Sequence, residues 1–154
     1  MLSILVSMEH EETYHLSLKF SPPKIDLRQA QILDAYGDES YAQRVLNHKK
    51  PENVSREDFD YYGWVYPFME PEDLLFYLYA MVVEFSKDKK IDCIDSFMYA
   101  VDKELPVLQK KLTHDDKAAL KNAFKTIWSI GGNDDTDFAQ CKNIQELIDI
   151  SVEM

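Results

Sequence analysis

The run His10-Glu11-Glu12-Thr13-Tyr14-His15 places two imidazoles and two carboxylates within six positions. Zinc hydrolases use the same residue types, but with histidines four apart on a helix, so that both face the metal while a glutamate acts as base. Here the histidines are five apart and the neighbouring residues alternate as a strand does, so the ligand geometry fails. The acidic run Asn133-Asp134-Asp135-Thr136-Asp137 invites a calcium reading. A calcium loop of the EF-hand type needs Gly at its sixth position and Glu at its twelfth. Counted from Asn133 those places hold Phe138 and Ile144. Counted from Asp135 they hold Gln140 and Glu146, with Ala139 at the fifth. Neither register works, and neither a metal nor a cofactor is expected.

Nucleophilic chemistry has equally little support. Cys93 lies between Asp92 and Asp95, whose carboxylates raise a thiol pKa rather than lower it, and Cys141 has only Lys142 as a cationic neighbour. Two cysteines so far apart do not form a disulfide framework. His48 and His114 fall at a helix end and a helix start, where a capping or surface role suffices. No phosphate-cradling glycine loop and no nucleophile elbow is present, so no catalytic residue is assigned and the chain is not expected to be an enzyme.

The elements that carry these residues follow from periodicity. Residues 13–20 alternate, with Tyr14, Leu16, Leu18 and Phe20 on one face and Thr13, His15, Ser17 and Lys19 on the other, the period of a half-buried strand. Leu2 to Met8 reads as a second, weaker strand, and Glu9–Glu12 as the turn of a hairpin. From Pro22 the period is helical. Asp26 with Gln29 has capping-box spacing, Ile25, Ile32, Leu33 and Tyr36 follow, and Gly37 suits the residue past the helix end. Asp38 opens a second helix through Tyr41, Val45 and Leu46, ending before Pro51. Residues 59–68 are ambiguous, alternating in Tyr62, Trp64, Tyr66 and Phe68 but punctuated by Gly63 and Pro67.

Pro71 at a first helical position, with Glu70, Glu72 and Asp73 at the positive end of the dipole, starts a strong helix. Its stretch Leu74 to Phe85 is apolar nearly all round, which marks the central helix, with Leu75, Leu78 and Val82 in the core. Further helices carry Ile91 to Val101, then Leu120 to Trp128 behind a Thr113–Asp116 cap, then Ile144 to Val152. The expected fold is mainly α within α+β: one acidic globular domain over residues 1–154, of about six helices with a small N-terminal antiparallel β-hairpin.

Charge is strong and uneven. The 154 residues carry a net −11, which argues against nucleic acid and against an anionic membrane surface as partners. Residues 51–104 hold 13 acids against five bases. Residues 105–130 reverse the balance, with Lys117, Lys121 and Lys125 four apart in what reads as the wet face of a helix. No apolar stretch is long enough to span a membrane. No charged segment precedes Leu2 to Met8 as in a signal peptide, so a cytoplasmic location is expected.

The densest acids lie in 51–73, interleaved with aromatics. Asp58, Asp60, Tyr61, Tyr62, Trp64, Tyr66, Glu70, Glu72 and Asp73 are the expected partner-binding residues. Tyrosine and tryptophan anchor interfaces, and carboxylates around them attract a cationic protein. The competing reading makes the aromatics core and the acids a solvated rim.

The segment Met69-Glu70-Pro71-Glu72-Asp73-Leu74-Leu75-Phe76-Tyr77-Leu78-Tyr79-Ala80-Met81 resembles the Pro-Glu-x-x-x-Tyr-Tyr/Phe-Leu-Pro-Ala segment of a bacterial family of small proteins of unknown function. Members follow it with a Leu-Thr-x-x-x-x-x-Ala helix, similar to Leu112-Thr113 through Ala119. The resemblance covers about residues 64–129, with Tyr79 where the family has proline and Met81 where it has an aromatic. It implies a bacterial helical domain and no particular activity.

Together these readings point to a non-enzymatic protein-binding module with a basic partner, most concretely an immunity-type protein that binds and neutralises a basic toxin. An accessory or regulatory subunit of a bacterial complex is the alternative, and an enzyme with an unrecognised carboxylate site the second.

Overall fold

A computed structural model of the chain describes residues 10–88, 90–91, 93–131 and 140–152. Among them are seven α-helices and no strand: α1 (Glu11–Leu18), α2 (Leu27–Asp34), α3 (Arg56–Tyr61), α4 (Pro71–Lys87), α5 (Ile94–Lys111), α6 (His114–Gly131) and α7 (Lys142–Val152). Short 3-10 turns occupy Glu39–Tyr41, Pro51–Asn53 and Tyr66–Phe68.

α4 is the axis of the molecule. Every residue from Asp73 to Val83 is buried, Leu75, Leu78 and Val82 among them. α1, α5 and α6 pack directly against it, and α7 closes over α5 and α6. A helix apolar on all sides must be covered on all sides, and these neighbours supply the cover.

The N-terminal hairpin is overturned. Residues 11–18 are helical, with Thr13, Leu16 and Ser17 buried at spacings of three and four. The alternation is genuine but misleading, because the face that matters is marked by two small polar residues and one leucine. Ser17 reads as polar and outward. In the structure its side chain is fully buried, with its hydroxyl donating to the Leu75 carbonyl at 2.6 Å and accepting from the Tyr79 amide at 3.0 Å. The partners that turn this segment into a buried helix are about sixty residues away. The expected strand Leu2 to Met8 and the 133–137 run lie outside the described residues.

The helix expected after Asp38 is also absent. Asp38 does cap, accepting from the Ser40 amide at 2.9 Å, but only one 3-10 turn follows. Tertiary partners take the polar groups of the next residues. Arg28 Nε donates to the Ala42 carbonyl at 2.9 Å, and the Tyr62 hydroxyl donates to the Arg44 carbonyl at 2.5 Å. Residues 42–50 therefore run as an irregular strap across the α2–α3 side.

Other boundaries agree with their signals. Asp26 and Gln29 form the reciprocal capping box of α2, and Thr113 and Asp116 that of α6. Pro71 stands in the first turn of α4. At the end of α2, Gly37 donates to the Ile32 carbonyl and Tyr36 to that of Leu33, the paired bonds of a Schellman ending. The left-handed position that glycine usually fills there is taken by Tyr36 at φ 55°, and Gly37 follows at φ 91°.

Candidate functional site

The nine expected partner-binding residues divide between interior and surface. Tyr62 and Tyr66 are core, edge-on to Tyr61 and to Phe97. Asp58 and Asp73 are buried as well, and both act on backbone. Asp73 accepts from the amides of Lys24 (2.8 Å), Ile25 (3.0 Å) and Glu70 (3.3 Å), tying the start of α4 to the segment before α2. Burial outweighs these bonds and raises its pKa. Asp60, Tyr61, Trp64 and Glu70 remain on the surface, and Glu72 is half-buried against Lys111 Nζ at 3.1 Å.

Asp58 heads a buried polar chain that its sequence neighbourhood does not announce. Ser55 caps α3, donating its amide to Asp58 Oδ2 at 3.0 Å and accepting the Asp58 amide on its hydroxyl at 3.3 Å. Arg44 Nε reaches Asp58 Oδ1 at 2.8 Å, and His48 Nε2 reaches Oδ2 at 2.8 Å. His48 Nδ1 lies 2.8 Å from the Tyr77 hydroxyl, which accepts from the Leu27 amide at 3.1 Å. These bonds are mutually consistent for a neutral imidazole: Tyr77 donates to Nδ1, and Nε2–H donates to the carboxylate. Burial raises the Asp58 carboxyl, but the bonds from His48, Ser55 and Arg44 prevail and hold it well below the ordinary range. His48 is thus no surface or capping residue. It clamps the 42–50 strap to α3 and α4.

The order hydroxyl, imidazole, carboxylate is that of a nucleophile, its base and the orienting acid. Here the hydroxyl belongs to a fully buried tyrosine, already holds the Leu27 amide, and has its pKa pushed well above the usual value by burial. The chain joins α2, the strap, α3 and α4 as a brace. Cys93 is similarly withdrawn: burial drives its thiol up to about 11, and the Tyr66 hydroxyl donates to it at 3.4 Å. His10, just before α1, and His15 within it remain five apart, and His15 lies 3.5 Å from Glu11. Among the described residues no three His, Cys, Asp or Glu side chains gather in a form that would hold a metal.

Of the surface residues, Trp64 is 68% exposed and stands between two depressions, one of which Asp60 shares. One, of about 370 Å³, is mainly apolar and runs between the Tyr66–Phe68 turn and α5, lined by Trp64, Met69, Leu74, Tyr99, Asp95 and Glu104 among others. The second, of about 350 Å³, is more polar, with Arg56, Asp60 and Cys93 in its wall. Arg56 is held by Asp60 at 3.2 Å and by Asp88 at 3.5 Å, which leaves the rim acidic. Phe68 and Tyr61 add further exposed aromatic surface. Gly63 lets this face form. A Cβ there would lie 2.7 Å from the Phe59 carbonyl oxygen and 2.8 Å from Cys93 Cβ.

A family model spanning residues 12–124 matches the sequence, running from α1 into α6. The chain belongs to the family of unknown function DUF6714. Its match includes the brace and the Trp64 face and starts well before the 64–129 segment that carried the sequence resemblance. Curated proteins and solved structures give no match. No described helix is long and apolar enough to cross a membrane.

Proposed function

We propose that this DUF6714 protein is a non-catalytic binding module whose Trp64 face receives a basic protein partner. One observation carries the reading: an exposed tryptophan stands between two depressions on an acidic rim. A soluble domain gains nothing in stability from leaving an indole in water. Tryptophan is, with tyrosine and arginine, among the residues enriched at interface hot spots. The acids of 51–104 supply the field that draws a cationic partner and speeds its capture. In a bacterial cytoplasm the most concrete form is an immunity-type protein occupying a basic toxin.

Affinity capture from the native host, read by mass spectrometry, tests the proposal with two baits. The wild-type chain is expected to retain a basic protein that the Trp64→Ala chain loses. Co-expression with that protein then decides whether the contact neutralises a toxic activity. Identical captures by both baits would remove the Trp64 face from the function.

A further inference from the structure

We infer that the end of α2 and the strap after it carry a second docking face, centred on Tyr36, for an apolar segment of a basic protein. This face is additional to the Trp64 face and stands without it.

The Tyr36 ring burdens the fold and contributes nothing to it. Tyr36 takes the left-handed position of the α2 ending, at φ 55°, where a Cβ crowds the backbone and glycine is the usual occupant. A glycine follows directly, at φ 91°. Bulky residues held in that region concentrate at binding and switch sites. No packing offsets the strain, because Tyr36 is 100% exposed.

Three more large apolar residues of the same stretch are exposed: Leu33, Tyr41 and Val45. The core contacts here are made instead by Ile32, Ala42 and Leu46. Arg28 Nε, bonded to the Ala42 carbonyl at 2.9 Å, holds the strap beside α2, and the Glu39–Tyr41 turn also packs on that helix. The four exposed residues therefore belong to one region of the surface. Grouped apolar exposure of this kind marks an interaction site.

Charge names the occupant. Residues 29–43 hold three acids, Asp34, Asp38 and Glu39, and no base. All three are exposed. Asp38 accepts the Ser40 amide at 2.9 Å, a bond that leaves its charge in place. Of the flanking bases, Arg44 is paired with Asp58, and Arg28 is part-buried on the Ala42 carbonyl. A second copy of this chain, at net −11, would bring like charge to the face. A cationic segment with apolar side chains meets both features, its charge drawn by the carboxylates and its apolar groups covered by Tyr36 and its neighbours.

The test uses three short peptides, one of lysine and leucine, one of glutamate and leucine, and one of lysine and serine. The readout is the shift of the Gly37 amide in NMR spectra of the full chain. The lysine–leucine peptide should bind at least about five-fold tighter than either of the others. Tyr36→Asn should weaken it at least about five-fold, while the denaturation midpoint stays at or above that of the wild type, since asparagine tolerates the left-handed conformation. Trp64→Ala should leave the Gly37 response unchanged. A lower midpoint for Tyr36→Asn would overturn the inference by giving the ring to the fold, and so would a stable variant that binds as the wild type does. Equal binding of the glutamate or the serine peptide would overturn the occupant. Loss of the Gly37 response in Trp64→Ala would overturn a separate face. A Gly37 amide silent toward every peptide would remove the face and leave the Trp64 reading standing.

Discussion

The Ser17 hydroxyl accepts the Tyr79 amide at 3.0 Å and donates to the Leu75 carbonyl at 2.6 Å, so a residue of α1 stands between two backbone groups that lie one helical step apart in α4. In an uninterrupted helix those two groups bond each other. The serine hydroxyl bonds both groups and, in doing so, docks α1 on the central helix.

That bridge sets an order among substitutions. Ser17→Ala should cost about 1 kcal/mol, because the Leu75 carbonyl and the Tyr79 amide can still bond each other within α4 once the hydroxyl is gone. Ser17→Val should cost more, about 2–4 kcal/mol, since its methyls bond neither backbone group and crowd a fully buried site. Urea denaturation of the three chains measures this, and a valine variant as stable as the alanine one would show that the hydroxyl bridges nothing essential.

Asp58 and Asp73 should act oppositely on acid stability. Asp58 has its pKa lowered in the fold, so its contribution is complete above the unfolded value near about 4 and is lost as the pH falls toward the folded one. Asp116, bonded to Lys19 at 2.6 Å, is lowered too and adds to the same decline. Asp73 is raised by burial, so its contribution favours the fold at low pH and fades as the pH rises through its folded value. Asp58→Asn should therefore flatten the loss of stability below about pH 4. It should also lower neutral-pH stability by about 1–3 kcal/mol, because an amide cannot accept from Arg44, His48 and the Ser55 amide as the carboxylate does. Asp73→Asn should leave the acid limb steeper than in the wild type. Denaturation free energies across pH 2.5–7 decide both signs.

Gly63 is a point of forced contact between α3 and the start of α5. An added methyl would meet the Phe59 carbonyl at 2.7 Å, and backbone cannot swing aside as a flexible side chain can. Gly63→Ala should cost about 1–3 kcal/mol and displace the adjoining Trp64. Stability by denaturant and the Trp64 emission maximum should change together, and an unchanged pair of readings would contradict the close approach.

Helix boundaries were legible where the signals are local. The Asp26–Gln29 and Thr113–Asp116 boxes, Pro71 and the apolar run of α4 all lie within four residues of the groups they act on. The brace was not legible, because its members Arg44, His48, Asp58 and Tyr77 are spread over four sequence segments and meet only in the fold. Its one local trace is the Ser55–Asp58 spacing of a capping box, which went unread beside the aromatics. The α1 error has the same origin. Period-2 polarity in 13–20 cannot reveal that Ser17 has a buried partner at Tyr79. In the acid-aromatic window, residue types show which side chains are large and aromatic, not which are buried. They could not separate Tyr62, which points into the core, from Trp64, which points away from it.

That separation gives the last prediction. Tyr62 is 1% exposed and holds the Arg44 carbonyl through its hydroxyl at 2.5 Å. Tyr62→Ala should cost about 3–5 kcal/mol by opening a cavity under the strap, and Tyr62→Phe about 1 kcal/mol for the lost bond alone. Trp64, 68% exposed, should tolerate Trp64→Ala within about 0.5 kcal/mol. The same change should weaken a basic partner by about 2 kcal/mol or more, seen as faster dissociation. Asp60→Lys with Glu70→Lys, both exposed, should instead slow association and reduce its dependence on salt. Thermal melts beside binding kinetics separate the two roles. A Trp64→Ala chain that unfolds would place the indole in the core after all. One that folds and binds as the wild type does would strip Trp64 of its anchor role.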